Sequence, residues 1–239
     1  MNRNQSFLFP YTIHTDVKNF VREIKTTEDG SKTIYLPEID ETYHSTHGAL
    51  QEALHVFIQH GFHAVPNSQL RILEIGFGTG LNALLTCIEA THAAKQVYYV
   101  GLEAFPVEEE IWKAMDYPQL LKSLDAPTIF EAMHQSEFEI SNRLTPNFEL
   151  LKIAQKLEDF LPESEDFDLI YFDAFGPRAQ ADMWQTSHFQ KLFNALKTGG
   201  VFVTYCAKGQ VKRDLKAIGF NVESLPGPPG KREMTRCIK

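Results

Sequence analysis

The sequence predicts an α/β fold: a Rossmann-like, mostly parallel sheet with an antiparallel last strand. Three observations carry that prediction. From Leu70 onward, apolar strand patterns alternate with helical ones, the order that builds a parallel sheet. The strand Leu70–Ile75 runs into three glycines at alternate positions, Gly76, Gly78 and Gly80, and a helical pattern of Leu81, Leu84, Leu85 and Ile88 follows at once. Near the end, Pro226-Gly227-Pro228-Pro229-Gly230 is too short to hold a crossover helix, so the last strand is expected to pair antiparallel.

The elements follow in order. Residues 11–37 read as strands around a Glu28-Asp29-Gly30-Ser31 turn, with Thr33–Leu36 the clearest, so residues 1–44 are expected to form a small β-rich extension. Residues 45–239 form the main domain. It opens with a helix over 45–60, capped by Ser45 or Thr46, striped by Leu50, Leu54, Phe57 and Ile58, and ended by Gly61. Strands are expected at Leu70–Ile75 and Gln96–Leu102. The stretch from Glu103 to about Phe148 exceeds a simple connection. With Trp112, Tyr117-Pro118 and a helical run over Pro127–Ile140, it reads as a crossover helix plus a helical insertion, about 106–145, lying over the site. Then come a strand at Asn147–Ala154, a helix near Gln155–Leu161 and a strongly apolar strand at Phe167–Phe172. A helix over Phe189–Leu196 stops at Thr198-Gly199-Gly200. A strand at Val201–Cys206, a helix at Lys208–Ile218 and the last strand, Glu233–Ile238, complete the chain.

Composition bounds the function. A chain of 239 residues, 43% hydrophobic, suits one large α/β domain with at most a small appendage. No apolar run is long enough to cross a bilayer, and MNRNQSFLFP lacks the apolar centre of a signal peptide, so no membrane partner is expected. Cys87, Cys206 and Cys237 are an odd count without a close pair, which fits neither a disulfide framework nor a zinc motif; a reducing cytoplasm is the simplest home. His44, His47, His55, His60 and His63 cluster in sequence, but no cysteine joins them, and a surface helix explains them better than a metal. The net charge of −8 argues mildly against nucleic acid. From Cys206 onward, however, the balance is +5 against −13 for the rest, and a local basic face binds phosphates even on an acidic protein.

The glycine turn carries the chemistry. Strand, glycine turn and helix are how an α/β protein presents bare backbone amides to a nucleoside cofactor. A dinucleotide fingerprint would place its third glycine at position 81, where Leu81 stands. The G-x-G-x-G form, with Glu74 before it, suits S-adenosylmethionine better. Glu103 ends the next strand roughly 20 residues on, where ribose-binding acids sit. Asp173 ends the strand Phe167–Phe172, and ligands in open α/β sheets bind beyond such strand ends. Asp173 is therefore expected in the same crevice, binding the cofactor's ammonium group or steering a substrate amine, with Phe175 and Pro177 as a rigid wall.

Six blocks then occur in one order: Tyr43-His44-Ser45, Gly76-Phe77-Gly78-Thr79-Gly80-Leu81-Asn82, Glu103-Ala104-Phe105-Pro106, Phe172-Asp173-Ala174-Phe175, Asp182-Met183-Trp184 and Gly230-Lys231-Arg232-Glu233-Met234. Over nearly its whole length the chain resembles the methyltransferase half of the bifunctional MnmC-type enzymes that modify the tRNA wobble uridine. The blocks cover the methyltransferase half and not the flavin-dependent oxidase half, so the chain is expected to be similar to the stand-alone form. The resemblance implies an S-adenosylmethionine-dependent methyltransferase that methylates the aminomethyl group at C5 of that uridine. It implies tRNA, through its anticodon stem-loop, as partner, and points to the enzymes that act upstream on the same nucleoside. It places Tyr43 and Ser45 against the cofactor along with Glu74, Gly76, Phe77, Gly78, Gly80, Asn82 and Glu103, and gives Asp173 the amine and its proton. Where the family carries an acid against adenine, this chain reads Ala154-Gln155-Lys156, so the amide of Gln155 is expected there. Lys208, Lys231 and Arg232 are expected on anticodon phosphates, and one of Phe175, Trp184 and Tyr205 on the out-turned base.

Two other readings share the cofactor residues. One is a methyltransferase or related transferase acting on a small-molecule amine, which needs no basic face. The other is a non-catalytic nucleoside-binding module.

Overall fold

A computed structural model describes residues 20–239. The expectations for residues 1–19 lie outside the described residues. Strands β1 (Glu23–Thr26), β2 (Lys32–Leu36) and β3 (Glu41–Thr42) form a small antiparallel sheet in that order. Asp29 makes its turn: one carboxylate oxygen accepts from the Ser31 amide and hydroxyl and from the Thr27 hydroxyl, and the other accepts from the Gln51 amide.

The next helix departs from expectation. Helix α1 spans only Ala49–Ala53, starts after Gly48 without a side-chain cap, and passes into a π-helical turn, Leu54–Gln59. Ser45 and Thr46 stand outside it. In the π turn His60 N–H reaches back to the His55 carbonyl, and the wider turn rotates the following residues. Ala53, Val56, Phe57 and Ile58 are buried, while Leu54, expected in the apolar stripe, is exposed. Gly61 follows, packed so closely on Phe57 and Tyr171 that a Cβ has no room.

The main sheet has eight strands. After a single 3₁₀ turn at Phe62–Ala64 come β4 (Gln69–Ile75), α2 (Leu81–His92) and β5 (Gln96–Leu102). Three short helices follow, α3 (Glu109–Lys113), α4 (Tyr117–Leu120) and α5 (Ala126–Gln135). The inserted segment is thus helical as far as Gln135, but it ends in a strand the sequence did not announce, β6 (Ser141–Thr145), which forms a hairpin with β7 (Phe148–Ile153). The helix expected near Gln155–Leu161 is a single turn that buries Leu157 and Phe160, with Leu161 turned to solvent. Pro162 follows and holds Leu161 out of the helical region.

The chain continues through β8 (Phe167–Phe172), a 3₁₀ turn at Ala181–Trp184, α6 (Thr186–Ala195), β9 (Leu196–Thr204), α7 (Gly209–Ile218), β10 (Asn221–Pro226) and β11 (Glu233–Ile238). Strand β9 begins straight after α6 and runs through the glycine pair expected as a stop. The spatial order is β10-β11-β9-β8-β4-β5-β7-β6; the five inner strands β9, β8, β4, β5 and β7 are parallel, β11 is antiparallel to β9 and β10, and β6 is antiparallel to β7.

Alternation along each strand divides the core between the two faces of the sheet. Ile72, Tyr99, Leu169 and Val203 share one cluster with Val56, Phe57 and Leu84; Leu73, Val100, Ile170 and Phe202 share the other with Phe189, Leu192 and Leu215. Strand β8 is buried along its whole length. From β4 the chain steps to β5 and β7 on one side, then returns to β8 on the other. The gap between the tips of β4 and β8 is therefore the point where strand order reverses, which is where open sheets bind ligands.

Candidate active site

A crevice lies beyond the carboxyl tips of β4, β5 and β8. Of the residues expected to hold a cofactor, Tyr43, Gly76, Phe77, Gly78, Asn82, Glu103, Gln155 and Asp173 all line it, and Phe175 stands on its wall. These positions are spread along the chain from Tyr43 to Asp173, and the neighbouring ends of β4, β5, β7 and β8, with the segment after β3, bring them together.

The glycine loop works differently from the expected display of free amides. Gly76 and Phe77 both donate to the Leu102 carbonyl, at 3.0 and 3.1 Å, and Gly78 donates to Glu103 Oε2 at 2.7 Å. The glycines are needed for shape. All three have positive φ, and a Cβ on Gly76 would strike the Asp173 carbonyl at 2.6 Å. Gly80 does not reach the crevice. Its missing Cβ leaves space for Met133, Phe77 and His134, so it is a packing glycine.

Two acids face each other across the crevice. Glu103 accepts the Gly78 amide on one oxygen and the Phe105 amide, at 2.8 Å, on the other. Burial raises its pKa; those amides and the Arg22 guanidinium pull the other way. Opposite it, burial and then the Glu52 carboxylate push Asp173 up to about 7, opposed by Asn82 and Lys231.

Asn82 joins these groups to Glu74. Its Nδ2 donates to Glu74 Oε1 at 2.9 Å and to Asp173 Oδ2 at 2.8 Å. Glu74, expected on the cofactor, instead lies fully buried beneath α2, and burial holds its pKa well above the carboxylate range. Its part is to hold Asn82. Ser45, also expected on the cofactor, stands off the crevice, its amide donating to Glu52 Oε2 at 2.8 Å. The neighbouring His44 takes a place on the wall. Burial pushes His44 down to about 4, and its Nδ1 is buried without a partner.

The far end of the crevice is lined by Gln155, Leu157 and Glu158. Gln155 is the residue expected there, and Glu158 supplies an acid three positions past the site where one was missing. Asp182, Met183 and His188 close the wall beside Phe175.

The substrate residues divide. The Phe175 ring meets Tyr43 edge-on at 5.1 Å. Trp184 is core, packed on Phe172 and donating Nε1–H to the Phe175 carbonyl at 2.8 Å. Lys231, expected on a phosphate, is half-buried and held by Glu52 in an ion pair. Arg232 and Lys208 are exposed, Arg232 almost completely, with a loose 3.5 Å contact to Glu233.

Of the clustered histidines, His47 and His63 contact Glu28 and Glu89, and His55 reaches the Pro226 carbonyl. Among the described residues no group of three or more His, Cys, Asp or Glu is arranged to hold a metal ion. No helix among them is long and apolar enough to cross a membrane.

Glycine loop, strand-tip acids and a sheet with an antiparallel hairpin at its edge define a class. The chain belongs to the S-adenosyl-L-methionine-dependent methyltransferase family, whose profile matches residues 119–239. Among curated proteins it is similar to the tRNA 5-methylaminomethyl-2-thiouridine biosynthesis bifunctional protein MnmC of Cupriavidus necator, 33% identical over 84% of this chain and 32% of that protein. The protein of the same name from Hydrogenovibrio crunogenus is 30% identical over 89% of this chain and 33% of its own length. The chain thus spans about a third of these relatives. The crystal structure of MNMC2 from Aquifex aeolicus has the same fold, with a TM-score of 0.73 and 23% identity over 92% of this chain and 71% of that one.

The crevice fits the family's cofactor. Glu103 keeps lone pairs for a ribose diol, and Asp173 with the buried, unpartnered Asn82 Oδ1 suits an ammonium group. Phe77, Leu81, Leu102 and Leu157 give apolar walls for a purine.

Proposed function

We propose that this chain transfers a methyl group from S-adenosylmethionine to the primary amine of a 5-aminomethyl(-2-thio)uridine at the tRNA wobble position. The observation that carries the reading is Asp173, a half-buried carboxyl at the β8 tip facing the same crevice as the glycine loop, backed by likeness to MnmC proteins over more than four-fifths of the chain. Bound S-adenosylmethionine supplies a methyl group on a sulfonium, already activated for displacement.

The residues then have modest tasks. Glu103 holds the ribose, Gln155 and Glu158 face the adenine, and Asn82 and Asp173 hold the polar end. Tyr43 and Phe175 form the aromatic mouth that an out-turned base stacks against. Placement of amine and methyl in line supplies most of the acceleration. The amine must attack neutral, with a lone pair free. The dry crevice disfavours its charged form, and Asp173, ionised above about pH 7, accepts the proton that nitrogen releases as the N–C bond forms. The products are the methylaminomethyl nucleoside and S-adenosylhomocysteine.

Arg232 and Lys208, exposed at the surface, contact anticodon-stem phosphates. Tyr43 and His44, at the end of the small N-terminal sheet, close one side of the crevice, and residues 45–239 form the catalytic domain. The setting is the cytoplasm, downstream of the enzymes that build the aminomethyl group.

The test uses tRNA from cells lacking this chain, incubated with the protein and S-adenosylmethionine, then digested for nucleoside mass spectrometry. Conversion of aminomethyluridine to the methylaminomethyl form by wild type, and its near-loss in Asp173→Asn, supports the reading. Binding of S-adenosylmethionine with no methyl on any tRNA nucleoside overturns it.

A further inference from the structure

Glu52 and Lys231 stand 179 residues apart in sequence and meet behind Asp173. Glu52 is a buried acid on a helix whose other inward residues are alanines. One of its oxygens takes the Lys231 ammonium and the other accepts the Ser45 amide, which fixes the carboxylate from both sides. The Lys231 ammonium also lies 3.9 Å from the centre of the Tyr205 ring. Tyr205 in turn donates its hydroxyl to the carbonyl of Ala174, the residue after Asp173, at 2.8 Å. The pair is therefore built into the wall that carries Asp173, although neither member lines the crevice. Glu52 is buried and Lys231 half-buried, and a carboxylate taken out of water for such a pair contributes little to stability compared with apolar packing, so packing alone does not account for it.

We propose that the Glu52–Lys231 pair is a positioning device for Asp173: it seats the β8-tip loop through Tyr205 and holds one fixed negative and one fixed positive charge beside the Asp173 carboxylate. The inference deepens the proposed function and rests on Asp173 as the proton acceptor. Other groups facing Asp173 are Asn82 from α2, Glu74 from β4, Tyr99 from β5 and Tyr205 after β9. Glu52 and Lys231 act on its proton in opposite senses, Glu52 favouring retention and Lys231 release. Removing either charge therefore moves the Asp173 titration in a defined direction, which a purely structural pair would not do.

The experiment is a carbon-detected NMR titration of the full chain labelled at its aspartate carboxyls, with Asp173 assigned from Asp173→Asn. In Glu52→Gln the midpoint is expected to fall by about 1 unit, and in Lys231→Met to rise by about as much. The double variant is expected to return towards wild type. Midpoints that stay at the wild-type value in both single variants overturn the inference. If Lys231→Met does not fold, Glu52→Gln decides alone, since it replaces a single oxygen by an amino group. The pH profile of methyl transfer by the same variants separates the two claims. If the carboxyl midpoint moves and the rate profile does not follow, the pair stands and the proton-acceptor reading of Asp173 falls.

Discussion

Asp173 combines a strand-tip position, a half-buried place on the crevice wall and an Asn82 hydrogen bond, and each has a measurable consequence. Asp173→Asn keeps the size of the side chain and removes the acceptor. It is expected to lower kcat roughly 10²–10⁴-fold and also to raise the KM for the methyl donor, whose ammonium the carboxylate helps to hold, in steady-state assays against modified tRNA. The carboxyl also ties stability to pH. Its folded pKa, about 7, lies above the unfolded value of 3.8, so the folded chain keeps a proton that the unfolded chain loses. That contribution is complete below the unfolded value and is lost as pH rises through the folded one. Relative to Asp173→Asn, the wild-type Tm is expected to fall steadily between about pH 4 and about pH 7 and then level off, as thermal unfolding would show. A difference that stays flat across that window would mean the carboxyl is not raised.

At the scale of elements, the glycine loop depends on its neighbour strand. Gly101, next to the last residue of β5, lies under the Phe77 ring, and a Cβ there would sit 2.5 Å from Phe77 Cδ2. Gly101→Ala is therefore expected to push Phe77 toward the crevice. The predicted outcome is a loss of about 1–3 kcal/mol in stability, with weaker donor binding, measured by denaturant unfolding and titration. A glycine inside a strand marks such a close approach, though Gly101 was not singled out from the sequence. The apolar runs of β4, β5 and β8 were legible to within a residue at each end, because parallel strands buried on both faces are predominantly hydrophobic. Strand β6 was not legible: Ser141-Asn142-Arg143-Leu144-Thr145 is a half-exposed edge with no alternation, paired only through its hairpin. The π turn was hidden too, since one extra residue per turn shifts which side chains face inward without changing composition. The same limit applied within the site. Motif membership placed Glu74, Gly80 and Ser45 near the crevice, but only the fold shows that their side chains or missing Cβ face other packing partners.

At the scale of the whole molecule, an acidic protein must present its basic residues locally to meet tRNA. Much of the basic C-terminal segment is occupied internally: Lys212 pairs with Glu233, Arg236 with Glu223 and Lys231 with Glu52. Net charge in that segment therefore overstated the surface available to phosphates. Arg232 and Lys208 are the exposed members on which the tRNA reading rests. Replacing either by glutamine is expected to weaken tRNA binding at low salt and reduce the salt slope by about 1, with donor binding unchanged, as filter binding across a salt series would show.

The account stands on the crevice itself, where the β4 loop and the tips of β5 and β8 together form the donor site. Calorimetric titration of S-adenosylmethionine into the purified chain, beside Glu103→Ala, tests this most directly. One donor per chain, bound at least tenfold more weakly by the variant, is the predicted result, since Glu103 would lose the ribose and loosen the Gly78 amide together. Equal affinity in the two proteins, or no heat with wild type, would contradict it.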